Sequence, residues 1–216
     1  MPNSIKRIIL MGPQGSGKTT QGERIAEFLE VKIIPAGNVL RQEIKEESDF
    51  GKKVKEIVNS GSLIPDQLMI DLMFSKLEQV EYQDGFILDG FPRSVFQAKA
   101  LDQKFKIDKV FNIEISDQEA IKRLSQRRVC PNGHVFHLVF NLPRVEGICD
   151  LCGEKLSQRK DDSEEIVKKR LKIYRQETSK LLNYYQVQKK IVVFDGEKNI
   201  PLVTDEILNY LKNEIR

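Results

Sequence analysis

The segment Gly12-Pro13-Gln14-Gly15-Ser16-Gly17-Lys18-Thr19 constrains this chain more than any other, because it fits G-x-x-x-x-G-K-[ST] between an apolar run and a helical pattern. Ile8 to Met11 suits a buried parallel strand, and Gln21 to Leu29 has helical spacing with Ile25, Phe28 and Leu29 on one face. Strand, glycine loop and helix in that order make a phosphate cradle. Glycines let the backbone curl until its N–H groups converge on phosphate oxygens at a positive helix terminus. Lys18 can then reach the outer phosphates and a Thr hydroxyl can meet Mg²⁺, so a nucleoside triphosphate is the leading ligand.

A chain of 216 residues accommodates one α/β domain with a sizeable core and small inserted lobes. Charged residues make up 31%, the net charge is only +3, and it is spread along the chain, so no nucleic-acid partner is implied. No apolar run approaches the ~18 residues of a membrane span, and Met1-Pro2-Asn3-Ser4-Ile5 lacks a secretion signal's apolar segment. A cytoplasmic protein without membrane partners is expected. Three cysteines, two of them in a C-x-x-C pair, point to metal binding rather than to a disulfide framework.

Short apolar runs recur at Ile8–Met11, Lys32–Ile34, Phe86–Leu88, Val110–Ile115 and Ile191–Phe194, separated by helical or irregular sequence. The alternation predicts a parallel five-stranded sheet covered by helices on both faces. Ser116 with Glu119, and Asp162 with Glu165, have capping-box spacing, the second opening a long helix from Ser163 to Gln188. On that helix Ile166, Val167, Leu171, Tyr174, Leu181 and Leu182 read as core, and Lys168, Lys169 and Lys172 as solvated charges. Between Arg128 and Asp162 lie all three cysteines, both histidines and a β-type run Val135–Phe140, which marks a small inserted lobe. Pro35 to Ile64, ending in the turn-rich Asn59-Ser60-Gly61-Ser62, is a second candidate insertion.

Leu88-Asp89-Gly90-Phe91-Pro92-Arg93 narrows the reading from phosphate-loop proteins in general, because it resembles a signature of nucleoside monophosphate kinases. The similarity extends through Ala36-Gly37-Asn38-Val39-Leu40-Arg41, Gln97, Arg123, Arg127-Arg128, Gly147, Arg159-Lys160-Asp161-Asp162, Arg170 and Asp195-Gly196. Taken together these motifs resemble the adenylate kinase family in its long-lid form. The resemblance implies a core at 1–34, 65–125 and 163–216, an acceptor-binding lobe at 35–64 and a lid at 126–162. It also implies a monomer that moves the terminal phosphoryl of MgATP to AMP, giving two ADP.

By that resemblance Gly15, Ser16, Gly17, Lys18, Thr19 and Thr20 cradle the donor phosphates, while Arg127, Arg159 and Arg170 clamp the transferring group. Arg123 packs on the donor adenine, Val135 and Phe136 touch that nucleotide from the lid, and the backbone near Lys198 reads its base. The acceptor falls to Ala36, Gly37, Arg41, Ser62, Leu63, Ile64 and Gly90, with Arg93 on its phosphate and Gln97 on its base; Arg159 and Arg170 reach it as well. Asp89 holds Mg²⁺ through water. Arginine suits the phosphate positions because its planar donor fork grips oxygens in two directions and keeps its charge.

Three residues depart from the family pattern. Thr19 stands where Gly is usual, so either Thr19 or Thr20 is available to the metal. Asn38 stands where Asp is usual, which removes a charge near the metal waters. Ala36 stands where Thr is common beside the acceptor base, and pyrimidine monophosphate kinases often have Ala there. A UMP or CMP kinase of the same fold is therefore the first alternative; an ATP-regulated binding module and a simple ATPase are alternatives of other kinds.

Cys149-Asp150-Leu151-Cys152-Gly153 has the form of a zinc knuckle, and Cys130 supplies a third thiolate. Long lids of the family often repeat C-x-x-C, but here Gly133 occupies the expected position and His134 follows it, giving C-x₃-H. Zn²⁺ held by Cys130, His134, Cys149 and Cys152 as a closed structural site is the expectation. His137 is the rival histidine and is assigned to the lid wall.

Overall fold

The computed structural model describes residues 5–60 and 62–214. Met1 to Ser4, read above for a secretion signal, Gly61 of the turn-rich segment, and the final two residues lie outside it. Five parallel strands form one sheet: β1 (Arg7–Met11), β2 (Lys32–Pro35), β3 (Phe86–Asp89), β4 (Lys109–Glu114) and, after the short lid pair β5 (Arg127–Val129) and β6 (Val135–His137), β7 (Ile191–Asp195). Their order is β2-β3-β1-β4-β7, with Ile9 aligned to Leu88 on one side and to Val110 on the other. The expected parallel α/β architecture is thus the one observed.

The three central strands β1, β3 and β4 are buried at consecutive positions because both their faces are covered, whereas the edge strands β2 and β7 are partly exposed. Ile8 and Leu10 point to one side, where α1 (Lys18–Leu29) and α8 (Ile200–Glu214) supply Ile25, Leu29, Val203 and Ile207. Ile9 and Met11 point to the other, against α4 (Asp66–Leu77), α5 (Val95–Lys104) and α7 (Glu164–Val187) through Met73, Leu101 and Tyr185. Phe28, expected on the buried face of α1, is instead 38% exposed beneath the Lys212 ammonium.

Between β2 and α4 the chain forms α2 (Ala36–Lys45) and α3 (Asp49–Asn59), and the side chains of Leu40, Val54 and Ile64 join the same core as Leu88. The segment 126–162 differs, because Cys130, Phe136 and Cys149 with Cys152 and Leu156 make a small core of their own. The β-type run there gives only three strand residues: Leu138, Val139 and Phe140 are exposed and turn the chain, and Nδ1 of His137 accepts from the N–H groups of Val139 and Phe140.

Ser116 caps α6 (Asp117–Ser125) as expected, accepting from the Glu119 N–H at 3.3 Å. The Asp162–Glu165 capping box does not form. Ser163 is the N-cap of α7 and makes no side-chain cap bond, while the Asp162 carboxylate turns inward to Arg127. Of the α7 lysines read as solvated, Lys169 instead donates to Ser60 O at 3.2 Å and Ser62 Oγ at 3.0 Å, tying α7 to the end of α3.

Candidate active site

β1 delivers its loop at the carboxyl end of the sheet, beside the point where strand order reverses between β3 and β4, the usual ligand crevice of open α/β sheets. Gly12 has φ +145°, and a Cβ there would meet Ile113 O at 2.2 Å, so only glycine lets the loop pass this close to β4. Gly17 has φ +90° and serves as N-cap of α1 without a side chain, leaving the helix N-terminus open to an anion. The helix begins at Lys18, three residues before the sequence pattern suggests.

Lys18 Nζ folds back onto Gly12 O and Pro13 O, each at 2.8 Å. Its pKa is lowered to about 8, first by burial and then by Arg93, Arg170 and Arg127 against the opposing Asp89. Thr19 Oγ1 donates a short hydrogen bond to Asp89 Oδ2, whereas Thr20 has no such contact. Asp89 ends β3, is 7% exposed and makes no direct salt bridge among the described residues, although Lys18 and Arg93 feel its charge; its oxygens and the Thr19 hydroxyl form a hard donor set.

Arg41, Arg93, Arg127, Arg159 and Arg170 converge with Lys18 although they come from α2, the β3–α5 connection, the lid and α7. Burial followed by neighbouring cations lowers Arg159 to about 9, and burial lowers Arg41 to about 10, with Asp161 opposing. Arg93 and Arg170 are also lowered, first by burial. Arg127 forks onto Asp162, with Nε–Oδ2 at 2.8 Å, and Arg170 holds Asp161 Oδ2 at 2.9 Å. Arg159 Nε is buried with no hydrogen-bond partner among the described residues. Six cations face chiefly Asp89, Asp161 and Asp162, an arrangement that calls for a polyanion.

One cavity is lined by Ala36, Gly37, Arg41, Ser62, Leu63 and Ile64 from the first insertion, and by Gly90, Arg93 and Gln97 beyond β3. Arg170 and Asp161 close its far wall. Every residue expected at the acceptor is therefore here except Arg159, which belongs to the cation cluster. Asn38 Oδ1 accepts from Arg41 Nη2 at 2.5 Å and so helps to hold that guanidinium.

Beside the phosphate loop, Arg123 Nη1 donates to Gly196 O at 2.9 Å and reaches Gly15 O at 3.5 Å, joining α6, the phosphate loop and the loop after β7. Its guanidinium lies 5.6 Å from the Phe140 ring, a neighbour that sequence reasoning missed. Phe136, expected to touch the donor nucleotide, buries its side chain in the lid core, while Val135 stays exposed. Lys198 sends its ammonium to Glu206 at 2.7 Å.

In segment 126–162, the ligand atoms of Cys130, His134, Cys149 and Cys152 all lie within 4.8 Å of one another. His134 Nδ1 is 3.3 Å from the sulfurs of both Cys130 and Cys149, and the sulfurs of Cys130 and Cys152 are 3.6 Å apart. A tetrahedron with metal–sulfur bonds of about 2.3 Å and a metal–nitrogen bond of about 2.0 Å has edges of about 3.5–3.8 Å, so the four side chains fit one ion. His137 is outside this group and stacks 4.6 Å from Phe140.

A phosphate loop at the switch point, a second cavity beside it and cations between them define a nucleotide-binding protein built to hold two anionic ligands end to end. Comparison with known proteins carries this further: the adenylate kinase family model matches residues 10–190. The chain is 43% identical over 211 residues to the adenylate kinase of Caldicellulosiruptor bescii, covering 95% of this chain and 98% of that one. It is 41% identical over 215 residues to the adenylate kinase of Streptomyces coelicolor, covering 96% and 99%. With the adenylate kinase of Methanothrix thermoacetophila the identity is 42% over 209 residues, covering 94% and 97%. The chain belongs to the adenylate kinase family.

Proposed function

We propose that this chain carries out the reversible transfer of the terminal phosphoryl group of MgATP to AMP, giving two ADP, with the phosphate loop as donor site and the neighbouring cavity as acceptor site. The observation that carries the reading is the convergence of Lys18, Arg41, Arg93, Arg127, Arg159 and Arg170 between the two. Phosphoryl transfer asks little covalent work of a protein; catalysis comes from in-line alignment and from neutralising charge on the transferring group. The attacking AMP oxygen is already anionic, so no general base is needed. Lys18 holds the outer donor phosphates, Arg93 and Arg41 the acceptor phosphate, and Arg127, Arg159 and Arg170 the group in transit.

The Thr19 hydroxyl and, through water, Asp89 would hold a magnesium ion arriving with ATP, which would supply neutralisation of phosphate charge; Thr20 is the less suited of the two threonines. Arg123 lies against the donor adenine, with Val135, Phe140 and the backbone at Lys198 around it. Segments 35–64 and 126–162 act as acceptor lobe and lid, whose closure excludes water and so protects ATP from hydrolysis. Cys130, His134, Cys149 and Cys152 would hold zinc as a structural ion, because four protein ligands leave no position for substrate.

AMP is favoured over a pyrimidine acceptor despite Ala36, because Gln97 presents a polar amide to the cavity and a site built to hydrogen-bond its substrate discriminates strongly. We also assign the protein to the cytoplasm as a monomer; no helix among the described residues is long and apolar enough to cross a membrane. Acceptor-dependent formation of two ADP for each AMP consumed is the test of the reading as a whole.

A further inference from the structure

Gln97 is 3% exposed and lines the acceptor cavity, yet both ends of its amide already have protein partners. Its Oε1 accepts from the Arg93 N–H at 2.7 Å, and its Nε2 donates to Asp66 Oδ1 at 2.8 Å. Ser94 Oγ donates to the same Asp66 oxygen at 2.9 Å and accepts from the Gln97 N–H at 3.2 Å. A backbone N–H can only donate and an ionised carboxylate can only accept, so the two ends of the amide cannot be exchanged. One N–H of Nε2 and one lone pair of Oε1 remain in fixed order for a ligand.

That order matters because purines differ in it. Adenine offers a donor at its 6-amino group and an acceptor at N1; hypoxanthine offers an acceptor at O6 and a donor at N1. An amide free to turn over could serve either base, whereas a locked one serves one. We propose that Asp66, on the first turn of α4 and outside the cavity lining, is a specificity-determining positioning residue that, together with the Arg93 N–H at the other end, locks the Gln97 amide and so makes the acceptor site select AMP over IMP. The inference rests on the reading of Gln97 as the residue that meets the acceptor base. The lock also reaches the phosphate end of the site, since the N–H that fixes Oε1 belongs to Arg93.

The test is the ratio of kcat/KM for AMP to that for IMP at saturating MgATP, in the full chain and in three variants. The ratio cancels any loss of folded protein. Asp66→Leu removes the acceptor, and the ratio falls about tenfold, the scale of one hydrogen bond to a charged group, while KM for ATP stays within about twofold. Asp66→Asn retains an acceptor oxygen and recovers most of the ratio lost in Asp66→Leu. A ratio in Asp66→Leu within about twofold of the parent, with both acceptors slowed equally, overturns the proposal and leaves Asp66 structural. Gln97→Leu separates the two levels: if it too keeps the ratio, the base is not read by Gln97 and the underlying reading fails; if it loses the ratio while Asp66→Leu keeps it, only the lock fails.

Discussion

Arg127 grips Asp162 through a two-point fork, Nε to Oδ2 at 2.8 Å and Nη2 to Oδ1 at 2.5 Å, around a carboxylate side chain that is fully buried. Arg170 approaches the same carboxylate at 3.6 Å. A buried ion pair contributes little net stability compared with an apolar pair, but removing one partner leaves the other charged and unpaired. Asp162→Ala therefore costs about 3 kcal/mol in the ligand-free protein, read by denaturant titration. Adding ATP and AMP recovers part of the loss, because phosphate supplies the missing negative charge.

Arg93 stands at the cavity wall with Nε on Gly90 O at 2.8 Å, close to the charges of Arg170 and Asp89. Arg93→Ala lowers kcat/KM for AMP by about a hundredfold or more, since it removes a charge clamp on the acceptor phosphate. Steady-state kinetics with AMP varied at fixed MgATP checks this, and a value near the parent contradicts the assignment.

Lys18 gives a pH dependence of defined sign. In the free protein its pKa lies near 8 rather than 10.5, so the folded state binds fewer protons than the unfolded state between those values. Its contribution makes the ligand-free protein gain stability as pH rises from about 8 toward 10.5. Binding runs the other way: phosphate favours the charged amine, so ATP binding above pH 8 takes up a proton and weakens as pH rises. Calorimetry in two buffers of different ionisation enthalpy measures that uptake.

The lid cluster predicts about one zinc per chain in protein purified without chelator. Cys149→Ser loses the metal, and chelation lowers the melting temperature because the lid's core is only Cys130, Phe136 and Cys149 with two partly buried neighbours. Elemental analysis decides the first point and a thermal melt with and without chelator the second. Less than about a tenth of an equivalent of zinc contradicts the assignment.

The sheet was legible in the sequence because its central strands are buried on both faces, so Ile8 to Met11 and Phe86 to Leu88 are apolar throughout and bounded by polar or glycine residues. The phosphate loop was legible because its glycines obey a local geometric requirement. Residues whose partners lie far away in sequence were not. Asp162 looked like a cap for the adjacent helix, but Arg127, thirty-five positions earlier, captures it. Asp66 sits thirty-one positions from Gln97, and nothing in its own segment marks it. Val135–Phe140 had strand composition throughout, yet the imidazole of His137 draws back the N–H groups of Val139 and Phe140 and ends the strand. Arg93 and Gln97 were found only because the motifs around them resemble a known family.

The most direct test of the account is ADP formation from MgATP with AMP, CMP, UMP or GMP as acceptor, alongside a reaction with no acceptor. An AMP-specific phosphotransferase gives rapid formation of two ADP per AMP, little transfer to the other three and negligible hydrolysis alone. Preference for UMP or CMP would make Ala36 decisive and contradict the role given to Gln97, and ADP formation independent of any acceptor would contradict a phosphotransferase altogether.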